Sequence, residues 1–329
     1  MRITGINWFG LETSNYAPHG LWSRSMGSML DQVKTLGYNT LRVPFSSQLL
    51  DPGSTPNGID FGQNPSLSGL SGLQILDELI AEAGARGLKV FLDRHRPDSG
   101  AQSALWYTAQ YSEQRWIDDW KMLAQRYANE DTVIGADLHN EPHGAATWGS
   151  GDPATDWRMA AEKAGNAVLS VNPKLLIIVE GVEQADNTGY WWGGNLHAAG
   201  AKPVNLSVAH QLVYSAHDYP ASVSQQPWFS DPGYPANLAS VWDDRWGYLV
   251  KNGVAPVLVG EFGSKYQTSS DQQWMGALAQ YIQSRGISFS YWCLNPDSGD
   301  TGGILGDDWV TVNQSKQAVI TPILAPMLP

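Results

Sequence analysis

Short apolar runs alternate with amphipathic segments from one end of the chain to the other. Eight of these runs are rich in β-branched and aromatic residues, which is typical of buried parallel strands. Between them, apolar residues recur at intervals of three and four, which predicts helices. The predicted strands are Ile3–Trp8, Thr40–Phe45, Lys89–Asp93, Val133–Leu138, Leu175–Val179, one within Val204–Tyr214, Pro256–Val259 and Ile287–Cys293.

The alternation of strands and helices continues without a linker-like break, which predicts one (β/α)8 TIM barrel as a single domain over residues 1–329. The alternative is an open doubly wound sheet. That fold would need a glycine-rich dinucleotide turn after the first strand, and the segment GINWFG is not one. The predicted helices are Met26–Leu36, Leu70–Ala85, Ser112–Ala128, Trp157–Val171, Asn237–Lys251, Ser270–Ser284 and one within Val310–Leu324.

Two of the predicted strands run into a glutamate. The fourth leads to Glu141, where Pro142 ends the strand because proline lacks the N–H that a sheet requires. The seventh leads to Glu261, and Gly263 follows. In a barrel, residues at the carboxyl ends of the strands meet on one face. Two carboxyl groups there indicate glycoside hydrolysis, with one protonated as the acid and the other ionised and directed at the sugar.

Further polar and aromatic residues lie at the predicted strand ends. They come from strands two, three, four, six and eight, so the barrel would bring them to the same site as Glu141 and Glu261. These residues are Arg42, His95, Asn140, His217, Tyr219 and Trp292.

Net charge limits the partners that the chain can bind. The formal net charge is −12, whereas nucleic-acid binding requires a basic face. Anionic membrane surfaces are disfavoured for the same reason. We therefore expect a neutral substrate, with no nucleic-acid or membrane partner. A monomeric protein is a separate expectation.

Tryptophan is abundant, with fifteen residues in 329. Several lie at helical spacing and are expected to fill the core. Others lie in predicted loops, where a core position is harder to reach. Because sugars present flat C–H faces that stack on aromatic rings, we predict that the loop tryptophans form carbohydrate platforms. The candidates are Trp22, Trp106, Trp192 and Trp228.

Cofactors and metals are not indicated. His139 and His143 have the spacing of a zinc-binding helix, but Pro142 and the preceding strand exclude that helix. The acidic segment 297–308 does not have the spacing of an EF-hand loop. Cys293 is the only cysteine, so no internal disulfide can form. No run is long enough for a transmembrane helix, and no signal peptide is visible.

Eight motifs are spread over nearly the whole chain: GINWFGLETSNY, HGLWSRSMGSMLDQVKTLGYNTLRVP, LDRHRPDSGAQSALWY, DLHNEPH, YWWGGNL, YSAHDY, GEFG and YWCLNPDSGDTGGILGDDW. They resemble glycoside hydrolase family 5, and in particular its bacterial endo-β-1,4-glucanases. The resemblance implies a secreted, cofactor-free enzyme that hydrolyses internal β-1,4 bonds of cellulose or a related β-glucan with retention.

The resemblance also implies roles for individual residues. Glu141 resembles the general acid/base and Glu261 the nucleophile, while Asn140 resembles the residue that binds the sugar 2-hydroxyl. We expect burial and the nearby charge of Glu261 to raise the pKa of Glu141. Arg42 and Tyr219 resemble the partners of the nucleophile. The histidines around the cleaved sugar and the platform beneath it have their counterparts in His95, His217 and Trp292.

Related sequences often carry cysteines in three loops near the site. At the matching places this chain has Ser14, Ser99, Thr147 and Ser150, so the resemblance implies that two stabilising crosslinks are absent.

Three other functions compete with this prediction. A β-mannanase or another β-glycanase would use the same scaffold and differ only in contacts to sugar hydroxyls. A non-catalytic carbohydrate-binding barrel would have lost part of the catalytic set, and every position is filled. Lyase or aldolase chemistry would need a lysine or metal ligands at strand ends, and neither is present.

Overall fold

The computed structural model describes residues 1–329, and eight of its strands close into a parallel barrel. Each strand pairs with its neighbours along the chain, and the first strand closes the barrel against the last. The prediction of a single-domain (β/α)8 barrel is therefore confirmed. In chain order the barrel strands are β1 (Thr4–Asn7), β2 (Thr40–Ser46), β3 (Lys89–Arg96), β4 (Val133–Asp137), β5 (Leu176–Glu180), β6 (Leu212–Asp218), β7 (Val257–Phe262) and β8 (Ser288–Tyr291).

Helices follow the strands and surround the barrel. A π-helical turn at Asp243–Gly247 joins α5 to α6, and a two-stranded hairpin, Gln184–Ala185 with Thr188–Gly189, follows β5. The helices are α1 (Met26–Thr35), α2 (Gly72–Ala85), α3 (Glu113–Arg126), α4 (Trp157–Leu169), α5 (Leu238–Trp242), α6 (Tyr248–Lys251), α7 (Ser269–Arg285) and α8 (Gln314–Ile320).

Local sequence signals fix where these helices begin and end. At the start of α2, the Ser71 side chain accepts from the Gln74 N–H, and the Gln74 side chain accepts from the Ser71 N–H, which is a complete capping box. Helix α7 begins with a Thr268 cap and ends at Gly286, whose left-handed φ of 62° suits glycine. These signals explain why the predicted helix bounds lie within a few residues of the observed ones.

The core has two parts. A large apolar cluster of 77 buried residues covers the contacts between the sheet and its helices. A second cluster of five comes almost entirely from the strands of the barrel: Ile3, Phe91, Ile178, Val213 and Leu258. Four of these lie on or beside the odd-numbered strands, as expected for one packed layer of a barrel interior.

Strand β6 differs most from its prediction. The sequence predicted a strand within Val204–Tyr214, but β6 is Leu212–Asp218. Its second half contains Ser215, His217 and Asp218, all of which are buried. Hydrophobic pattern cannot locate a strand whose buried residues are polar, so the prediction was placed too early.

No helix combines the length and the apolar character that crossing a membrane would require.

Candidate active site

A cleft of about 480 Å³ opens at the carboxyl ends of the strands. Both glutamates from the sequence analysis line it, together with three of the predicted supporting residues, His95, Tyr219 and Trp292. The other three, Arg42, Asn140 and His217, are fully buried behind these residues. The barrel therefore brings together all eight residues that were selected from separate strands.

Glu261, near the end of β7, is held by two fixed donors. The Arg42 Nη1 group lies 2.5 Å from Glu261 Oε1, and the Tyr219 hydroxyl donates to Oε2 at 2.5 Å. A guanidinium and a phenol both stabilise the ionised form of a carboxyl group. Glu261 is almost completely buried, so these contacts also fix its orientation.

Glu141, beyond the end of β4, has different partners. His217 Nδ1 lies 3.0 Å from Glu141 Oε1, and the Gln102 side chain donates to Oε2 at 3.1 Å. Its backbone has a positive φ of 53°, a left-handed conformation that is uncommon for residues other than glycine. The carboxyl group thus reaches the cleft from a strained turn and is held by one partner that titrates and one that is neutral.

The two glutamates lie close together. Oxygen atoms of Glu141 and Glu261 and a nitrogen of His217 all lie within 4.8 Å of one another. His217 Nδ1 is also 3.6 Å from Glu261 Oε2. Carboxyl groups about 5–5.5 Å apart are characteristic of retaining glycosidases, because a water molecule does not fit between them.

The pKa of Glu141 differs from the sequence-based expectation. Burial disfavours the carboxylate, but the hydrogen bond and positive charge of His217 outweigh it and lower the pKa of Glu141 below its usual value. Burial also opposes a charged His217, yet the negative charges of Glu180 and Glu261 raise the pKa of His217 well above its usual range. The expectation of a raised Glu141 pKa is wrong for the free site, because it did not include a charged histidine.

Arg42 lies at the centre of a buried carboxylate cluster. Burial opposes its positive charge, but its guanidinium contacts four carboxylates, which together keep the pKa of Arg42 above its usual value. The contacts are Asp93 at 3.1 Å, Asp137 at 2.9 Å, Glu180 at 3.0 Å and Glu261 at 2.5 Å.

Asn140 and His95 are oriented by this cluster. Asn140 Oδ1 accepts from Arg42 Nη2 at 2.9 Å, while its Nδ2 group is buried without a protein partner. His95 Nδ1 lies 2.6 Å from Asp93 Oδ2. Burial lowers the pKa of His95 to about 4, so its ring is neutral at neutral pH. Both side chains are therefore fixed from behind, and the amide of Asn140 retains a free donor.

The predicted tryptophan platforms occupy different environments. Trp192 is 44% exposed, lines the cleft and stacks on His143 with ring centroids 3.7 Å apart. Trp22 is 41% exposed and lies at the far end of a row of rings that runs from Trp292 through Phe9 and His19. Both present a face to solvent.

Trp106 and Trp228 do not line the cleft. Trp106 is 0% exposed, its Nε1 donates to Glu113, and it packs against Trp116 and Trp157. The prediction that Trp106 forms a sugar platform is therefore wrong, because the ring fills the core beneath its loop. Trp228 is partly buried and supports Tyr190, a cleft residue, with ring centroids 5.3 Å apart.

Comparison with known proteins shows the family. The family model for cellulase (glycosyl hydrolase family 5) matches residues 2–298. The chain belongs to glycosyl hydrolase family 5. It is 58% identical to an endoglucanase from Paenibacillus polymyxa, over 99% of this chain and 83% of that protein. It is 45% identical to the major extracellular endoglucanase of Xanthomonas campestris pv. campestris, over 97% of this chain and 67% of that protein.

A solved structure supports the same assignment. An endocellulase from Pyrococcus horikoshii, in complex with cellotetraose, superposes with a TM-score of 0.95 and 41% sequence identity. The alignment covers 99% of this chain and 93% of that one. The likeness extends over the whole barrel of this family 5 enzyme.

Several carboxylates of the enzyme are close enough to suggest a cation site. Oxygen atoms of Asp93, Asp137 and Glu180 lie within 4.8 Å of one another. All three contact Arg42, so the guanidinium already supplies the positive charge among them. His139 and His143 are held apart, since His139 contacts Arg94 and His143 stacks on Trp192.

Sequence reasoning missed four buried acids beside the site: Asp93, Asp137, Glu180 and Asp218. Asp218 lies between His217 and Tyr219 and accepts hydrogen bonds from Trp242, Trp274 and the Tyr190 hydroxyl. Glu180 directly follows the predicted fifth strand, a strand end that contributed no candidate. An acidic residue at the carboxyl end of a barrel strand was a signal that could have identified it.

Two of the four residues that the resemblance placed at cysteine positions contact each other. The hydroxyl groups of Thr147 and Ser150 lie 2.7 Å apart and are hydrogen-bonded. A neutral hydrogen bond contributes about 1 kcal/mol, compared with about 2–4 kcal/mol for a disulfide.

Proposed function

We propose that the enzyme is a retaining endo-β-1,4-glucanase that acts on cellulose or a related β-glucan. The observation that carries this proposal is the close approach of Glu141 and Glu261, with oxygen atoms within 4.8 Å, in a cleft lined by aromatic rings. The endoglucanases among its relatives and the cellotetraose complex of a structural neighbour support the choice of substrate.

In the first step, Glu261 is the nucleophile. Arg42 and Tyr219 hold its carboxyl group in a fixed orientation, so that an oxygen attacks the anomeric carbon as the glycosidic bond breaks. Glu141 donates a proton to the departing oxygen. When the substrate covers the cleft and removes water, the neutral state of the Glu141–His217 pair becomes more favourable, and in that state the proton resides on Glu141.

In the second step, Glu141 acts as the base. It accepts a proton from water, whose oxygen attacks the anomeric carbon and releases Glu261 as a carboxylate. The free Nδ2 group of Asn140 is available to bind the sugar 2-hydroxyl, a contact that strengthens in the transition state. Trp292 lines the cleft with its ring nearly parallel to those of Phe9 and His95, and it is proposed as the platform beneath the sugar.

The remaining parts of the proposal concern binding and location. Trp192, which lines the cleft, and Trp22, which lies outside its lining, are proposed as sugar platforms on the basis of their exposed side chains. Trp228 is proposed to act only by supporting Tyr190. We propose that the enzyme is secreted, by analogy with its extracellular relative from Xanthomonas campestris, and that it acts as a monomer without a cofactor.

The test is a set of initial rates of reducing-end release on carboxymethyl-cellulose, lichenan, xylan and mannan. We expect activity on carboxymethyl-cellulose and lichenan, and its loss in the Glu261→Gln variant. Activity on mannan alone would retain the mechanism and overturn the substrate. Activity that persists in Glu261→Gln would overturn the assignment of the nucleophile.

A further inference from the structure

Glu180, the last residue of β5, contacts residues that hold Glu141 and residues that hold Glu261, although it does not line the cleft. Its side chain is fully buried. Oε2 accepts a hydrogen bond from the backbone N–H of Glu141 at 2.7 Å, and Oε1 accepts from Arg42 Nη2 at 3.0 Å. His217 Nε2 lies 3.3 Å from the same Oε1. One carboxylate thus connects the backbone of Glu141, the imidazole beside it and the central guanidinium.

The backbone of Glu141 requires such a partner. With φ at 53°, Glu141 leaves the regular sheet, and its N–H has no strand to donate to. A residue in this conformation persists only when its surroundings fix it. The side chain of Glu180 provides a buried hydrogen-bond acceptor at that point, and burial raises the pKa of this carboxyl group to about 7.

Glycine at position 193 leaves room for this arrangement. A Cβ there would overlap Glu180 Oε2 and would lie 3.0 Å from the Cα of Glu141. The backbone of Gly193 therefore packs directly against the contact between Glu141 and Glu180. Its own N–H donates to the carbonyl of Pro142 at 3.3 Å, and its carbonyl accepts from Gly181 at 2.8 Å.

His217 is held from both sides. Its Nδ1 is 3.0 Å from Glu141 and its Nε2 is 3.3 Å from Glu180. The Nε2 contact lacks hydrogen-bond geometry, so the carboxyl group of Glu180 acts there through its charge, which stabilises the protonated imidazole. Glu180 can therefore act on Glu141 by two routes, through the backbone and through His217.

We propose that Glu180 is a positioning residue for proton transfer by Glu141. This inference rests on the proposed function, because it presupposes that Glu141 donates a proton to the leaving group. It predicts that loss of Glu180 slows cleavage in proportion to how much the leaving group needs that proton.

The test compares kcat/KM for two substrates that differ in their leaving group. For both of them kcat/KM reports the glycosylation step, in which the leaving group departs. Cellotetraose has a poor leaving group that requires an acid, whereas dinitrophenyl β-cellobioside has a leaving group that does not. General acid catalysis contributes about 10²–10⁴-fold. For Glu180→Gln, which keeps the shape and removes the charge, we expect a loss of about 100-fold on cellotetraose. On the dinitrophenyl substrate we expect a loss of less than about tenfold, the residual effect acting through Arg42.

Asp137→Asn is the matched control. Asp137 is equally buried and contacts Arg42 at 2.9 Å, but it does not contact Glu141 or His217. We expect this variant to lose activity equally on both substrates. If Glu180→Gln also loses activity equally on both, Glu180 acts through Arg42 alone and the proposal is overturned.

A second pair of variants tests the same contact without altering Glu180. In Gly193→Ala the new methyl group would displace the Glu180 carboxylate, so we expect the same dependence on the leaving group. Gly253→Ala is the control, because Gly253 has nearly the same φ, 64°, and a Cβ at that position would meet no other atom within 4 Å.

The outcomes separate the two proposals. A wild-type enzyme inactive on both substrates would contradict the proposed function. An active wild-type enzyme whose Gly193→Ala variant shows no dependence on the leaving group would contradict the role of Glu180.

Discussion

The two glutamates of the cleft are held in opposite ways. Glu261 continues a regular strand, is almost completely buried and is bound by a guanidinium and a phenol, which keep their protons at neutral pH. Glu141 lies in a left-handed turn beyond its strand and contacts a histidine whose charge can change. A nucleophile needs a constant charge, whereas an acid/base must gain and lose a proton. The surroundings of each residue match one of these roles.

Strand β6 supplies one partner to each glutamate. His217 contacts Glu141, and Tyr219, two residues later, contacts Glu261. Between them, Asp218 is anchored by two tryptophans and a tyrosine. The difference between the two glutamates therefore depends on the rigid end of a single strand.

The largest expected effect is at Glu261. Glu261→Gln removes the proposed nucleophile, so kcat/KM should fall by at least about 10⁴-fold for any leaving group. Steady-state rates on cellotetraose and on dinitrophenyl β-cellobioside test this. A loss confined to cellotetraose would mean that Glu261 is the acid, and the roles of Glu141 and Glu261 would be exchanged.

Glu141→Gln should show the opposite selectivity. We expect kcat/KM to fall by about 10²–10⁴-fold on cellotetraose and far less on the dinitrophenyl substrate, because only the first requires protonation. Added azide should restore turnover of the dinitrophenyl substrate, since it attacks the glycosyl-enzyme without a base. Absence of azide rescue would contradict the assigned role of Glu141 in the second step.

Asp218, which lies between His217 and Tyr219, should make the stability of the fold depend on pH. Burial raises the pKa of Asp218 to about 7, against the effect of its hydrogen bonds from Tyr190, Trp274 and Trp242. The folded chain therefore keeps a proton that the unfolded chain releases. The resulting stability is complete below about pH 4 and is lost as the pH rises to about 7.

Asp218→Asn isolates this contribution. Each such proton changes the free energy of unfolding by about 1.4 kcal/mol per pH unit. The free energy of unfolding, measured with urea between pH 5 and pH 7, should fall more steeply with pH in the wild type than in the variant. The two slopes should differ by about 1.4 kcal/mol per pH unit. Equal slopes would mean that Asp218 is already ionised at pH 5.

The smallest expected effect is at the edge of the cleft. Trp192 stacks on His143, whose Nδ1 lies 2.6 Å from the backbone carbonyl of Glu141, and this places it on the acid/base side. Trp192→Ala should raise KM for cellotetraose about three- to tenfold, because an aromatic contact contributes about 0.5–1.5 kcal/mol. Trp22→Ala tests the second proposed platform, at the end of the row of rings that begins at Trp292, and should raise KM by a similar factor. An unchanged KM in both variants would contradict their role as platforms.

Much of the fold was predictable because it depends on local pattern. Apolar runs such as Leu176–Glu180 and the capping box at Ser71 are readable without knowledge of the partner strands. The later half of β6 was not, since its buried residues are polar and have no hydrophobic signature. The prediction for Trp106 failed for a related reason. A loop tryptophan can bury its ring under neighbouring helices, and the sequence alone does not show where those helices lie.

The sequence by itself determined the barrel and the identity of its two glutamates, because strand period and strand-ending residues are local properties. Only the tertiary structure determined the electrostatics. Asp93, Asp137 and Glu180 come from three different strands and become one cluster only when the barrel closes around Arg42. The charge of His217, and with it the pKa of Glu141, depends on distances between residues far apart in the chain. Coulombic interactions decay with distance in space, and distance along the sequence does not determine them.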